Sequence, residues 1–212
     1  MEEQQISLIV AEQRAFFESG KTLCTCYRKK ALEKLYAAIV SREKELTDAL
    51  QKDLGKSDFE SYMCEIGMVL DEISYMLKHI DDFAKERTVR TPLAQFASRS
   101  YVKPSPYGVA LIMSPWNYPV LLCLDPLIAA LSAGNCCVVK PSSTTPATSA
   151  VLAEMLGSIF PPEYRVLPRQ TFLRHPRRSS NALHCQPANP QKMCECASLP
   201  CCRQNRLFPS PL

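Results

Sequence analysis

PYGVALIMSPWNYP, residues 106–119, sets a five-residue apolar run, Val109–Met113, between a glycine and a loop bounded by prolines. A run of that length fits a buried strand of a parallel sheet. Downstream, residues 119–133 have the composition of a helix that stops at Gly134, and residues 136–140, CCVVK, form a second short apolar run. Strand, helix and strand in that order make a βαβ unit. Such crossovers are almost always right-handed, so the loops after both strands emerge at the carboxyl edge of the sheet, where ligands bind. A further helix is expected from Thr145, with Pro146 at its first position and Val151, Leu152, Met155, Leu156 and Ile159 on its buried face.

Upstream the period changes. Over residues 4–90 apolar side chains recur at three- and four-residue spacings, which predicts three helices. Leu32, Leu35, Ile39, Leu46, Ala49 and Leu50 form one stripe. Gly55 is a plausible stop, Ser57 and Glu60 have capping-box spacing, and Tyr62, Ile66, Val69, Ile73, Leu77 and Ile80 continue on one face. Glu43, Glu45, Asp81, Asp82 and Glu86 read as a solvated face, because no partner acid or metal-ligand spacing accompanies them. SRSYVKP, residues 98–104, is short, alternating and bounded by proline, the pattern of an exposed strand.

The chain has 212 residues, 46% of them hydrophobic, with a net charge of +4 and no basic helix or stacking motif. A nucleic-acid partner is therefore not expected. The first residues, MEEQQISLIVAEQ, lack the basic and apolar regions of a secretory signal. The longest apolar region, 119–139, is interrupted by Asp125, Pro126 and Gly134, so no membrane span is expected and a cytoplasmic location is. In that setting the eleven cysteines read as reduced thiols. Past Arg165 the composition breaks: the segment is rich in proline and arginine, holds no glycine, and Glu195 is its one acidic residue. Residues 165–212 are expected to be a disordered tail unrelated to residues 1–164. The stretch CECASLPCC, with His184 and Cys185 nearby, lacks paired zinc-ligand spacing, so no metal is assigned.

The loop SPWNYP, residues 114–119, is unusual for a mere connector. Pro119 suits a first helical turn. Asn117 has the chemistry either to cap the helix or to point its amide into the cleft, and residue type alone leaves both open. Trp116, the single tryptophan, reads as a packing residue, and Lys140 on its own reads as an ordinary exposed lysine.

PYGVALIMSPWNYP together with PLIAALSAGNCCVVKPSSTTP, residues 126–146, closely resembles the start of the cofactor-binding domain of aldehyde dehydrogenases. EKELTDALQKDLGKSDFESYMCEIGMVLDEISYM, residues 43–76, resembles the helical start of the class 3 branch. The likeness spans about residues 5–164 and implies an α/β fold: N-terminal helices, then the first βαβα part of a Rossmann-like domain that binds NAD or NADP. It also implies oxidation of aldehydes to carboxylic acids by a homodimer. In the family the asparagine of Pro-Trp-Asn donates its amide to the oxyanion formed on cysteine attack, and Asn117 matches it. Ser114, Pro115 and Trp116 match the loop lining the same cleft, and Lys140 matches the lysine that reaches the adenosine ribose. Three residues on, NAD-preferring members carry a glutamate that repels a 2′-phosphate. Ser143 stands there, so the resemblance implies that NADP is tolerated.

The family's Glu-Leu-Gly-Gly and Gly-Gln-x-Cys motifs, which carry base and nucleophile, do not occur in the sequence. Cys123 and Cys136 fall inside the helix and second strand, and Cys24 and Cys26 in the helical region. The chain is therefore expected to be an inactive, truncated or frameshifted member. The alternative is an interaction protein that binds the intact enzyme through the strand near Tyr101.

Overall fold

The computed structural model describes residues 3–160. The expectations for 165–212 lie outside them. Helices α1 (Glu3–Glu18), α2 (Thr25–Ser41), α3 (Glu43–Leu54), α4 (Asp58–Ser61) and α5 (Gly67–Ala84) come first, with a 3-10 turn at Lys21–Leu23 and a π-helical turn at Tyr62–Ile66 joining α4 to α5. Strand β1 (Arg87–Val89) pairs antiparallel with β2 (Ser100–Val102), and β3 (Val109–Met113), α6 (Leu121–Ala133), β4 (Cys136–Lys140) and α7 (Pro146–Ile159) follow.

The expected βαβα order is present. β3 and β4 are parallel, with Val109 opposite Cys136 and Met113 opposite Lys140. Leu32, Leu35, Ile39, Leu46, Ala49 and Leu50 are all buried, as their spacing predicts, and the leucines and Ile39 join Ile66, Val69, Ile73 and Ile80 in one core with Leu124, Leu127, Ile128, Leu131, Leu152 and Met155. Burying each such side chain contributes about 1.5–3 kcal/mol. Gly55 stops α3 at φ 70°, and the Ser57 hydroxyl accepts the Glu60 N–H at 3.2 Å, one half of the expected capping box.

Four expectations change. The region 4–90 holds more than three helices, and its end is not helical, because Arg87–Val89 leaves α5 to pair with β2. Tyr62 lies at the start of the π turn, which shifts the helical phase and leaves it exposed while Ile66 stays buried. β3 is not covered on both faces. Its Ile112 side enters the core, but α1 covers the other side only near Val109, where Ile9 meets Val138, so Leu111 and Met113 are 54% and 64% exposed. Lastly, Cys24 and Cys26, expected as free thiols, are paired as a disulfide with Cα atoms 5.4 Å apart. Cys24 is extended at the N-cap of α2 and Cys26 lies in its first turn, so the bend in the chain brings the two side chains together.

The helical part and the βαβα unit are tied by buried polar contacts. Gln13 donates to the Cys137 carbonyl at 2.9 Å. Arg28 donates to the carbonyls of Thr22 (2.7 Å), Leu23 (2.9 Å) and Ser132 (3.1 Å), fixing the turn before α2 against the end of α6. Gly134 is required there: it has φ 90°, and a Cβ would lie 2.9 Å from the Arg28 guanidinium. Among the described residues no helix is long and apolar enough to cross a membrane.

Candidate active site at the carboxyl edge of the sheet

β3 and β4 end side by side, and the loops that follow them are joined at the start. The Ser114 N–H donates to the Lys140 carbonyl at 3.0 Å, extending the parallel ladder by one bond. Every sequence-predicted site residue lies on one of these two loops: Ser114, Pro115, Trp116 and Asn117 after β3, Lys140 and Ser143 at the end of β4 and beyond. Ser114 is buried, and its hydroxyl lies near the carbonyls of Pro115 (3.2 Å) and Pro119 (3.4 Å). Pro115 and Asn117 are exposed, Lys140 is half-buried and Ser143 is exposed. Trp116 is 55% exposed rather than packed, because the loop stands at the open edge of a two-stranded sheet.

The entry to α6 is capped without Asn117. The Leu122 N–H donates to the Tyr118 carbonyl at 2.9 Å, which places Pro119 in the first turn, as expected. The cap is not Asn117 but Glu65, whose Oε2 accepts the N–H groups of Val120 (2.8 Å) and Leu121 (3.2 Å). Asn117 is thereby freed from capping, and among the described residues its side-chain amide has no partner.

Glu65 is fully buried and its Oε1 accepts from Lys56 Nζ at 2.6 Å. The same ammonium donates to the Asn117 carbonyl at 3.2 Å and sits 4.0 Å from the centroid of the Tyr118 ring. At the second loop, Thr145 stands at the N-cap of α7 without a side-chain cap bond. Asp53 caps it from α3, accepting from Ala147 N (3.1 Å), Thr148 N (2.7 Å) and Thr148 Oγ1 (2.9 Å). In the turn before it, the Thr144 N–H donates to Ser142 Oγ at 3.2 Å and the Ser149 hydroxyl to the Ser142 carbonyl at 2.6 Å.

Sequence reasoning missed Asp53, Lys56 and Glu65. A signal for Glu65 exists: it stands one turn before Val69 and two before Ile73, so it shares their buried face. Four of the described cysteines are free thiols, and Cys64 among them is half-buried. Cys123, Cys136 and Cys137 are buried, and burial pushes the thiols of Cys123 and Cys137 up to about 12, leaving both protonated at neutral pH. Among the described residues no cluster of histidine, cysteine or carboxylate side chains is fit to hold a metal.

The sequence matches the aldehyde dehydrogenase family over residues 1–167. It is 42% identical over 140 residues to aldehyde dehydrogenase family 3 member B3 of Mus musculus, covering 66% of this chain and 29% of that protein. It is 40% identical over 153 residues to 4,4′-diaponeurosporen-aldehyde dehydrogenase of Staphylococcus aureus, covering 72% of this chain and 33% of the relative. The fold superposes on the substrate-bound Staphylococcus aureus AldH with a TM-score of 0.74 at 39% identity, covering 76% of this chain and 36% of that one. The chain thus spans about a third of the length of these relatives. By family match, by sequence identity and by fold, it belongs to the aldehyde dehydrogenase family, among class 3 relatives.

Proposed function

We propose that residues 114–117 and 140–143 are the oxyanion and adenosine sides of a site for NAD(P)-dependent oxidation of aldehydes to carboxylic acids. The observation that carries this reading is the Ser114–Lys140 backbone bond, which locks the two loops together at the carboxyl edge while Asn117 presents an uncommitted amide. An amide fixed where negative charge develops accelerates acyl-type chemistry by about 10²–10³. Asn117 holds that position, with Ser114, Pro115 and Trp116 shaping the cleft beside it.

A nicotinamide cofactor supplies the hydride acceptor in this family. The residues present fit its adenosine end: Lys140 stands at the mouth of β4, and the exposed Ser143 is neutral. They do not offer the usual phosphate seat. The N-termini of α6 and α7 are occupied by the carboxylates of Glu65 and Asp53, which repel a pyrophosphate there. Lys140 and Ser143 would therefore serve the ribose. In an intact enzyme bearing these loops, Ser143→Glu adds an acceptor for the 2′-hydroxyl and a charge against a 2′-phosphate, so preference should move from NADP toward NAD. An unchanged ratio of the two kcat/KM values would remove Ser143 from the ribose.

The 212 residues alone supply the oxyanion donor without the family's Gly-Gln-x-Cys or Glu-Leu-Gly-Gly stretch. Without a thiolate beside Asn117 no covalent adduct forms from which hydride can leave. The purified chain, given NAD or NADP and a medium-chain or aromatic aldehyde, should form no reduced nicotinamide. Turnover that is abolished by Asn117→Ala would overturn this.

A second reading rests on the β1–β2 ladder. Val89, Tyr101 and Val102 are exposed on it, and each strand keeps one edge unpaired among the described residues. Such an edge accepts another strand. The chain would then bind an intact family enzyme through Tyr101 and its neighbours, and a pull-down with the full-length enzyme that is lost on Tyr101→Lys would favour this role.

A further inference from the structure

We infer that Lys56 and Glu65 are positioning residues that hold the Ser114–Tyr118 loop so that the Asn117 amide is aimed before any substrate arrives, a role that rests on the oxyanion reading above. The two side chains hold the loop at two points. On one side of Tyr118 and Pro119, Lys56 Nζ donates to the Asn117 carbonyl at 3.2 Å; on the other, Glu65 Oε2 accepts from Val120 N at 2.8 Å and Leu121 N at 3.2 Å. The 2.6 Å bond between Lys56 and Glu65 joins the two anchors. Tyr118, between them, lays its ring 4.0 Å from the same ammonium. Holding the backbone on both sides of two residues, one of them a proline of fixed φ, leaves the Asn117 Cα and the exit direction of its side chain little freedom.

The cost of the arrangement argues against a purely stabilising role. A buried ion pair gains little over apolar residues of the same volume, because two charges must leave water. Here Glu65 is fully buried and Lys56 nearly so, and all of the lysine's contacts on this side converge on the loop or its cap. A lysine is long enough to reach main chain that has no helical or strand partner of its own. An oxyanion donor contributes only when its supporting groups fix it in advance, and among the described residues the loop outside the Ser114 bond has no other ladder to do so.

Trp116 is the single tryptophan and directly precedes Asn117, so the loop carries its own reporter. The experiment compares the chain with the double variant Lys56→Met, Glu65→Gln, which removes both charges together yet keeps an acceptor for the α6 N–H groups. Far-UV circular dichroism checks the helices. Acrylamide quenching of Trp116 and ¹⁵N relaxation of the Asn117 side-chain amide read the loop. With helical content retained, quenching should rise toward that of free N-acetyltryptophanamide, and the Asn117 amide should lose order to an S² below about 0.6. Unchanged quenching and relaxation in a folded double variant overturn the inference, since a merely stabilising pair would lower the melting point without loosening the folded loop. Should the double variant unfold, Tyr118→Leu decides: the residue is exposed, its replacement spares the buried pair, and quenching must still rise, by less, with no change overturning the inference. Neither readout involves substrate, so a failure of Asn117 as an oxyanion donor would leave these results standing.

Discussion

The entries to α6 and α7 solve one problem in two ways. Each follows a parallel strand and a proline-containing loop, and each receives a carboxylate from the helical part across a long stretch of sequence. A carboxylate at a helix N-terminus satisfies orphan N–H groups and meets the positive end of the helix dipole. Asp53 does this for α7 while only half-buried, with water able to carry part of its charge. Glu65 does it for α6 from full burial, and there a counter-charge, Lys56, is recruited into the interior with it. Burial decides the difference: two N–H groups, the Thr148 hydroxyl and a dipole are enough for a wet carboxylate, whereas two N–H groups and a dipole are not enough for a dry one.

Breaking each cap measures that difference. Glu65→Ala removes two bonds at α6 and strands the Lys56 ammonium in the interior, so it should destabilise the chain by about 3–5 kcal/mol in a denaturant titration. Asp53→Ala removes three bonds at α7 but leaves no charge alone, and about 1–2 kcal/mol is expected. Equal losses for the two variants would mean that the lysine is not the source of the asymmetry. Adding Lys56→Met to Glu65→Ala should recover part of the larger loss and leave the smaller one untouched.

What the sequence made legible follows from the range of each interaction. The stripe from Leu32 to Leu50, the stop at Gly55, the Ser57 cap and the β3–α6–β4–α7 order depend on neighbours three or four residues away or on plain alternation, and these were readable. Unusual composition and family likeness singled out the loop residues from Ser114 to Asn117 and Lys140 as site candidates, and the fold puts them on adjacent loops. Glu65 and Asp53 were not legible as caps, since their partners lie 55 and about 95 residues downstream. The π turn that exposes Tyr62 and the half-open face at Leu111 and Met113 were missed for a related reason. Periodicity assumes one helical phase and two covered faces, and neither holds here.

The smallest expected effect sharpens the same contrast from the surface. Arg42, at the N-cap of α3, donates to Glu154 of α7 at 3.0 Å and lies 3.6 Å from Glu45, so it too is a basic side chain bridging the helical part and the βαβα unit. The chemistry matches Lys56–Glu65, but Glu154 is 74% exposed. Water and salt screen the exposed Glu154, the Arg42 side chain keeps 23% of its surface in solvent, and both long side chains lose rotamer freedom to meet. Glu154→Ala should therefore cost no more than about 0.5 kcal/mol, because Arg42 keeps both water and Glu45 as partners. A double-mutant cycle with Arg42→Ala should return a coupling of the same small size, and it should fade as salt is raised through one Debye length's worth of screening. A salt-insensitive coupling approaching that of the buried pair would show that exposure is the wrong variable, and the account of why Glu65 needs a lysine and Asp53 does not would fall with it.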